Sequence, residues 1–165
     1  MNTQEYVSYF REIAEKLKDI GHTAENKKFT RINIEEVLNG LRSDLDMSTP
    51  VMVLENYEAS FNDNRSDNVF KDLNGALMVL QNVDHGDYEG EAEAMDRCES
   101  AIMKIIAKMK EDRDYRQIIP LRGFELNSVR LYKVGGVFDN SYGYRMEFML
   151  RGAVPLVVEP NDWNP

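Results

Sequence analysis

The residues of this chain that could take part in chemistry are few and lie far apart. The two histidines, His22 and His85, fall in separate polar segments, and Cys98 is the only cysteine. A zinc site needs three or four convergent ligands, and none of these three has a partner at ligand spacing. The run His-Gly-Asp at 85–87 places a base beside a carboxylate. Directly before a predicted helix, it is more simply a glycine turn with an Asp near the helix N-terminus. We therefore predict no metal site and no catalytic histidine.

Other patterns typical of functional sites also favour structural interpretations. The segment NDNRSD at 62–67 resembles a calcium loop, but Asp67 stands where the turn glycine belongs and Leu73 where the bidentate glutamate belongs. The phosphate-binding patterns GxxxxGK and GxGxxG do not occur. Paired carboxylates are expected by chance in a chain with 29 Asp and Glu, and no pair has a distinctive partner. The sequence thus predicts neither catalytic residues nor a cofactor.

The charge balance limits the possible partners. The chain has 20 Lys and Arg against 29 Asp and Glu, a formal net charge of -9. Such a surface repels phosphate at long range, which disfavours a nucleic-acid-coating role. The one basic concentration comprises Lys104, Lys108, Lys110, Arg113 and Arg116. It complements the dipole of the helix predicted there, and the functional alternative is contact with DNA phosphate or an acidic neighbouring subunit.

Length and composition predict one folded domain. A chain of 165 residues with 42% hydrophobic residues can bury a core without disulfides. We assign residues 1–154 to a single domain and residues 155–165 to an extended C-terminal arm. The N-terminus is amphipathic rather than a secretory signal, and no segment has the roughly 20 apolar residues of a membrane span. We therefore expect synthesis in the cytoplasm.

The central element of the predicted fold is a long helix from Tyr88 to Asp112. Its apolar residues lie three or four apart and so share one face; they are Met95, Cys98, Ile102, Ile105, Ile106 and Met109. Acidic residues occupy its first turns and basic residues its last, as the helix dipole favours. The helix is expected to join two hairpins and to cover the sheet that they form.

Four segments predict the strands of these hairpins. Residues 51–61 and 69–83 flank the polar run NDNRSDN, and the second of them is apolar enough for a central strand, whereas the first suits a position nearer an edge. Residues 121–134 and 141–151 form the other pair, and the latter alternates with the period of a half-buried antiparallel strand. The reversal between them falls at Gly135-Gly136 or at Asp139-Asn140.

Two helices are predicted before the first hairpin. The first runs from an N-cap at Thr3 to Ile20, and its aromatic face, with Phe10, packs on its own sheet or on a neighbouring subunit, the former being favoured. Residues 22–31 form a surface connection. A capping box at Asn33 and Glu36 opens the second helix, residues 34–46.

The predicted fold is therefore α+β: an antiparallel sheet of two hairpins joined by a long helix, with two N-terminal helices and an extended C-terminal arm. Prolines at 155, 160 and 165 exclude a helix from that arm. It lies along its own domain or reaches another chain.

This order of elements, with the segments PVMVLENYEASFND, GALMVLQNVDHGDY and FDNSYGYRMEF, resembles small proteins of tailed bacteriophages and prophages, particularly of Bacteroides-type hosts. Those proteins build the head-to-tail connector or the tail terminator. The resemblance implies a non-enzymatic virion protein that forms a homo-oligomeric ring, contacts other neck or tail proteins, and lets DNA pass through its lumen without specific binding. It implies no catalytic residue, metal or cofactor. It also implies residence in the virion neck or tail after synthesis in the host cytoplasm.

For a ring, we predict subunit contacts through Phe10, Pro155, Pro160 and Trp163. The loop residues Asp63, Asn64 and Arg65 are predicted to contact a neighbouring ring. The chief alternative is a small cytosolic enzyme or ligand-binding domain whose cleft, between sheet and long helix, is lined by Tyr142, Tyr144 and Glu147. A monomeric adaptor or inhibitor from a mobile element is a third possibility. An enzyme requires a concave pocket with perturbed carboxylates, whereas a ring subunit exposes apolar surface when isolated.

Overall fold

The computed structural model describes residues 1–32, 45–63, 69–116, 118, 121–138, 140–159, 161 and 163. Within these residues the chain forms two α-helices and a mixed sheet of six strands. The α+β class predicted from the sequence is therefore confirmed. The predicted second helix lies outside the described residues as far as residue 44, and residues 45 and 46 are not helical.

The elements follow one another along the chain as helix α1 (Thr3–Lys16), strands β1 (Phe29–Ile32), β2 (Val51–Glu55), β3 (Glu58–Asp63) and β4 (Val69–Asn82), helix α2 (Tyr88–Glu111), and strands β5 (Arg130–Val137) and β6 (Ser141–Val154). A π-helical turn (Asp112–Arg116) extends α2, and a 3-10 turn (Leu126–Ser128) precedes β5. The order across the sheet is β1-β2-β4-β6-β5, and β3 also pairs with β4.

Strand β1 makes the sheet mixed rather than antiparallel, which corrects the predicted pair of hairpins. It pairs in parallel with β2, with Phe29 opposite Met52, whereas the other pairings are antiparallel. The prediction of a surface connection at residues 22–31 is therefore wrong from Phe29 onward. Four residues carry too little periodicity to indicate a strand from sequence.

The segment predicted as one strand at 51–61 forms two strands. Strand β2 pairs with residues 77–80 of β4, and β3 pairs with residues 69–74, so both lie along the same neighbour. All residues of β2 are buried and all residues of β3 are exposed. The predicted position nearer an edge than the central strand is therefore confirmed for β2, which lies between the edge strand β1 and the central strand β4. Strand β3 lies beside β4 further along it.

Strands β4 and β6 form the axis of the sheet. They pair over all 14 residues of each strand, a ribbon about 45 Å long. Residues 75–81 of β4 are buried, which confirms the predicted central strand. At the other end, residues 151–153 of β6 and all of β3 are exposed. We call this end, residues 58–63, 69–72 and 151–154, the β3–β4–β6 extension.

Helices α1 and α2 pack on one face of the sheet. Helix α1 contacts β1 and β2, and α2 contacts β4 and β6. A capping box begins α1, because Asn2 Oδ1 accepts from Glu5 N at 2.9 Å and the Glu5 carboxylate accepts from Asn2 N at 2.8 Å. The predicted start at Thr3 is thus nearly right, and the helix ends four residues before the predicted Ile20. Helix α2 matches its prediction to within one residue.

The core lies between the helices and this face of the sheet, and the predicted stripe of α2 is part of it. Cys98, Ile102, Ile105 and Met109 are each 0% exposed. From β6 the core receives the residues of one parity, which confirms the predicted alternation; they are Tyr144, Met146, Phe148 and Leu150. A smaller apolar cluster of Val51, Val53, Met78 and Leu80 lies on the opposite face.

Strand β5 begins later in the sequence than predicted. Residues 121–128 form turns and one isolated bridge, from Phe124 to Leu150, rather than a strand. Strand β5 starts at Arg130, where the apolar alternation of the sequence breaks. Phe138 and Asn140, which lie between β5 and β6, have φ values of 46° and 75°, and Asn140 belongs to the second of the predicted turn sites. Gly136, at φ 67°, lies in a bulge of β5.

Candidate functional site

The C-terminal segment after β6 exposes apolar side chains. Leu156, Val157 and Val158 are 66%, 71% and 70% exposed, and Trp163 is 67% exposed. Pro155 is also exposed and belongs to no helix or strand, while Pro160 lies outside the described residues. Consecutive exposed aliphatic residues are unusual on a folded surface and mark contact sites. We refer to residues 155–159 as the apolar arm.

Phe10, the other predicted subunit contact, lies in the core. Its side chain is 0% exposed. Its ring packs against those of Tyr6, Tyr9 and Phe148, with centroids 5.2, 5.2 and 5.3 Å away. The favoured alternative, in which the first helix docks on its own sheet, is therefore confirmed, and Phe10 is removed from the surface contacts.

The loop predicted to meet a neighbouring ring follows an exposed strand. Asp63 is the last residue of β3 and is exposed, and Asn64 and Arg65 lie outside the described residues. Two residues before Asp63, Phe61 is 58% exposed. Among the described strands, β3 pairs with β4 alone, so its other backbone edge has no described partner strand. An exposed edge of this kind can accept a strand from another chain.

Two ion pairs between arginine and a carboxylate lie on the face of the sheet opposite the helices. The Arg145 guanidinium binds both oxygens of Glu55, at 2.6 and 2.9 Å, and also contacts Glu147. The Arg151 guanidinium binds both oxygens of Asp72, at 2.8 and 2.9 Å. Hydrogen bonding from Arg151 lowers the pKa of Asp72. A carboxylate that is held by arginine and has a lowered pKa, as Asp72 has, suits a structural role and not proton transfer at neutral pH.

The cleft of the alternative enzyme hypothesis does not form from its predicted residues. Tyr144 packs in the core beneath the helices, and Tyr142 has the same parity on β6. Glu147 has the opposite parity and binds Arg145 on the other face. The residues would therefore not line a common cleft.

A groove between α1 and α2 is a site that the sequence prediction missed. It encloses about 400 Å³. Its apolar lining comes from Ile13, Leu17, Ile105 and Ile118, and its polar lining from Tyr9, Glu12, Lys16, Lys104, Lys108, Asp112 and Arg116. We call it the interhelical groove. Lys104, Lys108 and Arg116, which belong to the basic concentration noted in the sequence, form part of its rim. Lys16 joins them because α1 packs beside α2.

The charged residues of the groove are held by neighbouring carboxylates. Lys104 contacts Asp19 at 2.5 Å, and Lys16 contacts Glu12. Lys108 and Arg116 both contact Asp112. The side chains of Lys16, Lys104 and Arg116 are nevertheless 71%, 52% and 58% exposed, so they remain accessible to a second anion. The groove can therefore receive an apolar group that carries a negative charge.

Asp112 is the buried carboxylate in the lining of this groove. It is 1% exposed and accepts a hydrogen bond from Tyr9 Oη at 3.0 Å. Burial, followed by the nearby Asp112 charge and this hydrogen bond, raises the pKa of Tyr9. The Tyr9 hydroxyl thus stays protonated and serves as a fixed donor.

The residues first considered for chemistry have structural environments. His22 Nδ1 accepts from Lys28 N at 3.1 Å, and Asp87 caps α2 by accepting from Gly90 N at 2.9 Å. Cys98 is buried, and burial raises the pKa of its thiol to about 12. Within the described ranges, no three His, Cys, Asp or Glu residues are grouped so that they could share a metal ion. Of the helices described, neither has the length and apolar character needed to cross a bilayer.

No protein family matches this chain, and no curated protein shows significant similarity to it.

Proposed function

We propose that this chain is a non-enzymatic structural subunit that assembles with copies of itself into a ring. The ring would be of the kind that forms the head-to-tail connector or tail terminator in the neck or tail of a tailed bacteriophage. In this proposal the subunit is made in the host cytoplasm and then joins the virion. Its other partners are neighbouring neck or tail proteins.

The observation that carries this proposal is the apolar arm. Its three aliphatic side chains are each about two thirds or more exposed. They come shortly after the end of β6, one of the two longest strands of the sheet. Burial of exposed aliphatic residues against another chain is favourable, at roughly 25 cal/mol per Å². Phe61 adds one further exposed apolar side chain, on β3, whose only described partner strand is β4.

The net charge of -9 suits a conduit for DNA. A lumen lined with carboxylates repels the phosphate backbone, so that DNA slides without being held. The ion pairs of Asp72 and Glu55 with arginine connect strands of the sheet and leave these two carboxylates neutralised.

The test is the mass of the full chain in solution over a concentration series, measured by light scattering coupled to size exclusion. The variant replaces Leu156, Val157 and Val158 with serine. The matched control replaces three other exposed apolar side chains with serine, namely Tyr88, Met103 and Tyr115. Electron microscopy of negatively stained particles then distinguishes a closed ring from a dimer or a filament.

We expect a discrete closed assembly of six or more copies for the wild type and the control. The arm variant should require about tenfold or more higher concentration to assemble, equivalent to about 1.4 kcal/mol or more. A monomer at every concentration, with no closed particles, would refute the proposal. An assembly equally stable in all three proteins would remove the apolar arm as its basis.

A further inference from the structure

The interhelical groove gathers exposed cations in an acidic protein. Its lining includes four cations and two carboxylates, and Asp19 and Glu111 contact three of these cations from beside it, whereas the whole chain has a formal charge of -9. Ile13 and Ile105 form a buried floor, and Leu17 and Ile118 are partly exposed at the sides. The groove is therefore apolar at the base and cationic at the rim.

The apolar arm has the complementary composition. It presents Leu156, Val157 and Val158 followed by Glu159, and no Lys or Arg occurs between residues 155 and 165. Its backbone belongs to no helix or strand, so its side chains are not committed to the core of its own chain. An aliphatic run that ends in a carboxylate matches an apolar floor with a cationic rim.

The dimensions also agree. Along α1 the groove extends from Tyr9 to about Lys16, which is about 10 Å at 1.5 Å per helical residue. Residues 156–159 in an extended conformation also span about 10 Å between their first and last Cα atoms. One groove therefore accommodates these four residues and no long additional segment.

We propose that residues 156–159 of one subunit bind in the interhelical groove of the next subunit, with the aliphatic side chains on the floor and the Glu159 carboxylate beside Lys16 and Lys104. This inference rests on the proposed self-assembly and specifies its contact. Binding between chains is favoured because the arm of the same chain lies exposed while the groove remains open.

The first experiment is disulfide cross-linking of the full chain in a Cys98→Ala background. One preparation carries Glu12→Cys at the groove rim, and a second carries Val158→Cys in the arm. The matched control replaces Glu12→Cys with Met103→Cys, an exposed position of α2 that does not line the groove. We expect a cross-linked pair when the first two preparations are mixed and about tenfold less with the control.

The second experiment exchanges charges across the contact. Lys16→Glu with Lys104→Glu should reduce the cross-linking yield about tenfold, and Glu159→Lys alone should reduce it similarly. Combining the reversed groove with the reversed arm should restore the yield, a recovery that general damage to the fold would not give. The control is Arg130→Glu with Lys133→Glu on β5, which should leave the yield unchanged.

The outcomes separate this inference from the ring proposal. A closed ring without the Glu12–Val158 cross-link would overturn the docking site and leave the ring standing. A further preparation carries Glu12→Cys and Val158→Cys in the same chain. If the cross-link forms only within that chain, so that the product has the mass of a monomer, the docking site between subunits would also be overturned. A cross-link between mixed chains in the absence of closed particles would support the docking site and refute the ring. Absence of both would refute both.

Discussion

Two tyrosines of α1, Tyr6 and Tyr9, differ in whether their hydroxyl groups are hydrogen-bonded. Tyr9 Oη donates to the buried Asp112. Tyr6 Oη, on a residue that is 1% exposed, makes no hydrogen bond of normal geometry within the described part of the chain, although the backbone of Ala76 lies near it. A buried donor without a partner costs free energy, whereas loss of a bond to a buried carboxylate removes stabilisation. The same substitution should therefore have different effects at the two positions.

We predict that Tyr9→Phe lowers the free energy of unfolding by about 1.5–3 kcal/mol, since the bond is to a charged group. Tyr6→Phe should leave it unchanged or raise it by up to about 1 kcal/mol. Denaturant titration of both variants and the wild type measures the difference. If Tyr6→Phe costs as much as Tyr9→Phe, then the Tyr6 hydroxyl has a partner in solution.

A second prediction at this scale concerns acid stability. Lys28 is 1% exposed and contacts Asp46 Oδ2 at 2.7 Å. Hydrogen bonds from Lys28 and then Ser48 lower the pKa of Asp46 from 3.8 to about 2. The ionised form is thus favoured by folding. Its contribution is complete above pH 3.8 and is lost as the pH falls through about 2.

Asp46→Asn should therefore be less stable than the wild type at pH 6, by about 1 kcal/mol once the exposure of this carboxylate is considered. The gap should close as the pH falls from about 4 to about 2. Denaturant titrations across that range test it, with Asp84→Asn, an exposed carboxylate after β4, as the control. A gap that stays constant with pH would contradict the assigned cause.

At the scale of elements, the sequence predicts well where a pattern is long. Helix α2 and strand β6 were both indicated by more than nine residues of one period, and both form where predicted. Strand β1 was missed because its four residues follow a polar run and its partner lies in parallel, distant in sequence. The end of β2 was missed because Asn56 is a single turn-forming residue with no glycine or proline beside it.

Two glycines of β6, Gly143 and Gly152, differ in how close they lie to neighbouring atoms. A Cβ at Gly143 would lie 2.0 Å from the carbonyl oxygen of Val79 on β4, whereas a Cβ at Gly152 would meet nothing within 4 Å. Gly143→Ala should lower the free energy of unfolding by about 1–3 kcal/mol, because the backbones must separate. Gly152→Ala should change it by less than about 0.5 kcal/mol. Equal effects in thermal or denaturant unfolding would argue against the close approach.

At the scale of the whole molecule, the candidate contacts were only partly predictable. The prolines and Trp163 indicated an extended arm from composition alone. The interhelical groove was not predictable, since Lys16 and Lys104 come together only when α1 and α2 pack on the same face. Phe10 was predicted as a surface contact because periodicity identifies an apolar face but not the chain that covers it.

The acidic surface yields a prediction for DNA. We expect the assembled protein to bind linear double-stranded DNA with a Kd no tighter than about 10⁻⁴ M at physiological salt, because repulsion opposes counterion release. Fluorescence anisotropy of a labelled duplex measures this at several salt concentrations. Micromolar binding that weakens steeply with added salt would instead indicate a basic lumen and contradict sliding without specific binding.

The long pairing of β4 with β6 has a consequence for how the chain folds. Paired residues are about 60 positions apart at Asn82 and Ser141 and about 85 apart at Val69 and Val154. Chain closure is entropically least costly at the first end, next to the start of α2. Pairing of β4 with β6 should therefore begin at Asn82 and Ser141 and proceed toward Val69 and Val154. The β3–β4–β6 extension should then be completed last. The rate-limiting nucleus should include α2 and the halves of both strands that lie nearest Asn82 and Ser141.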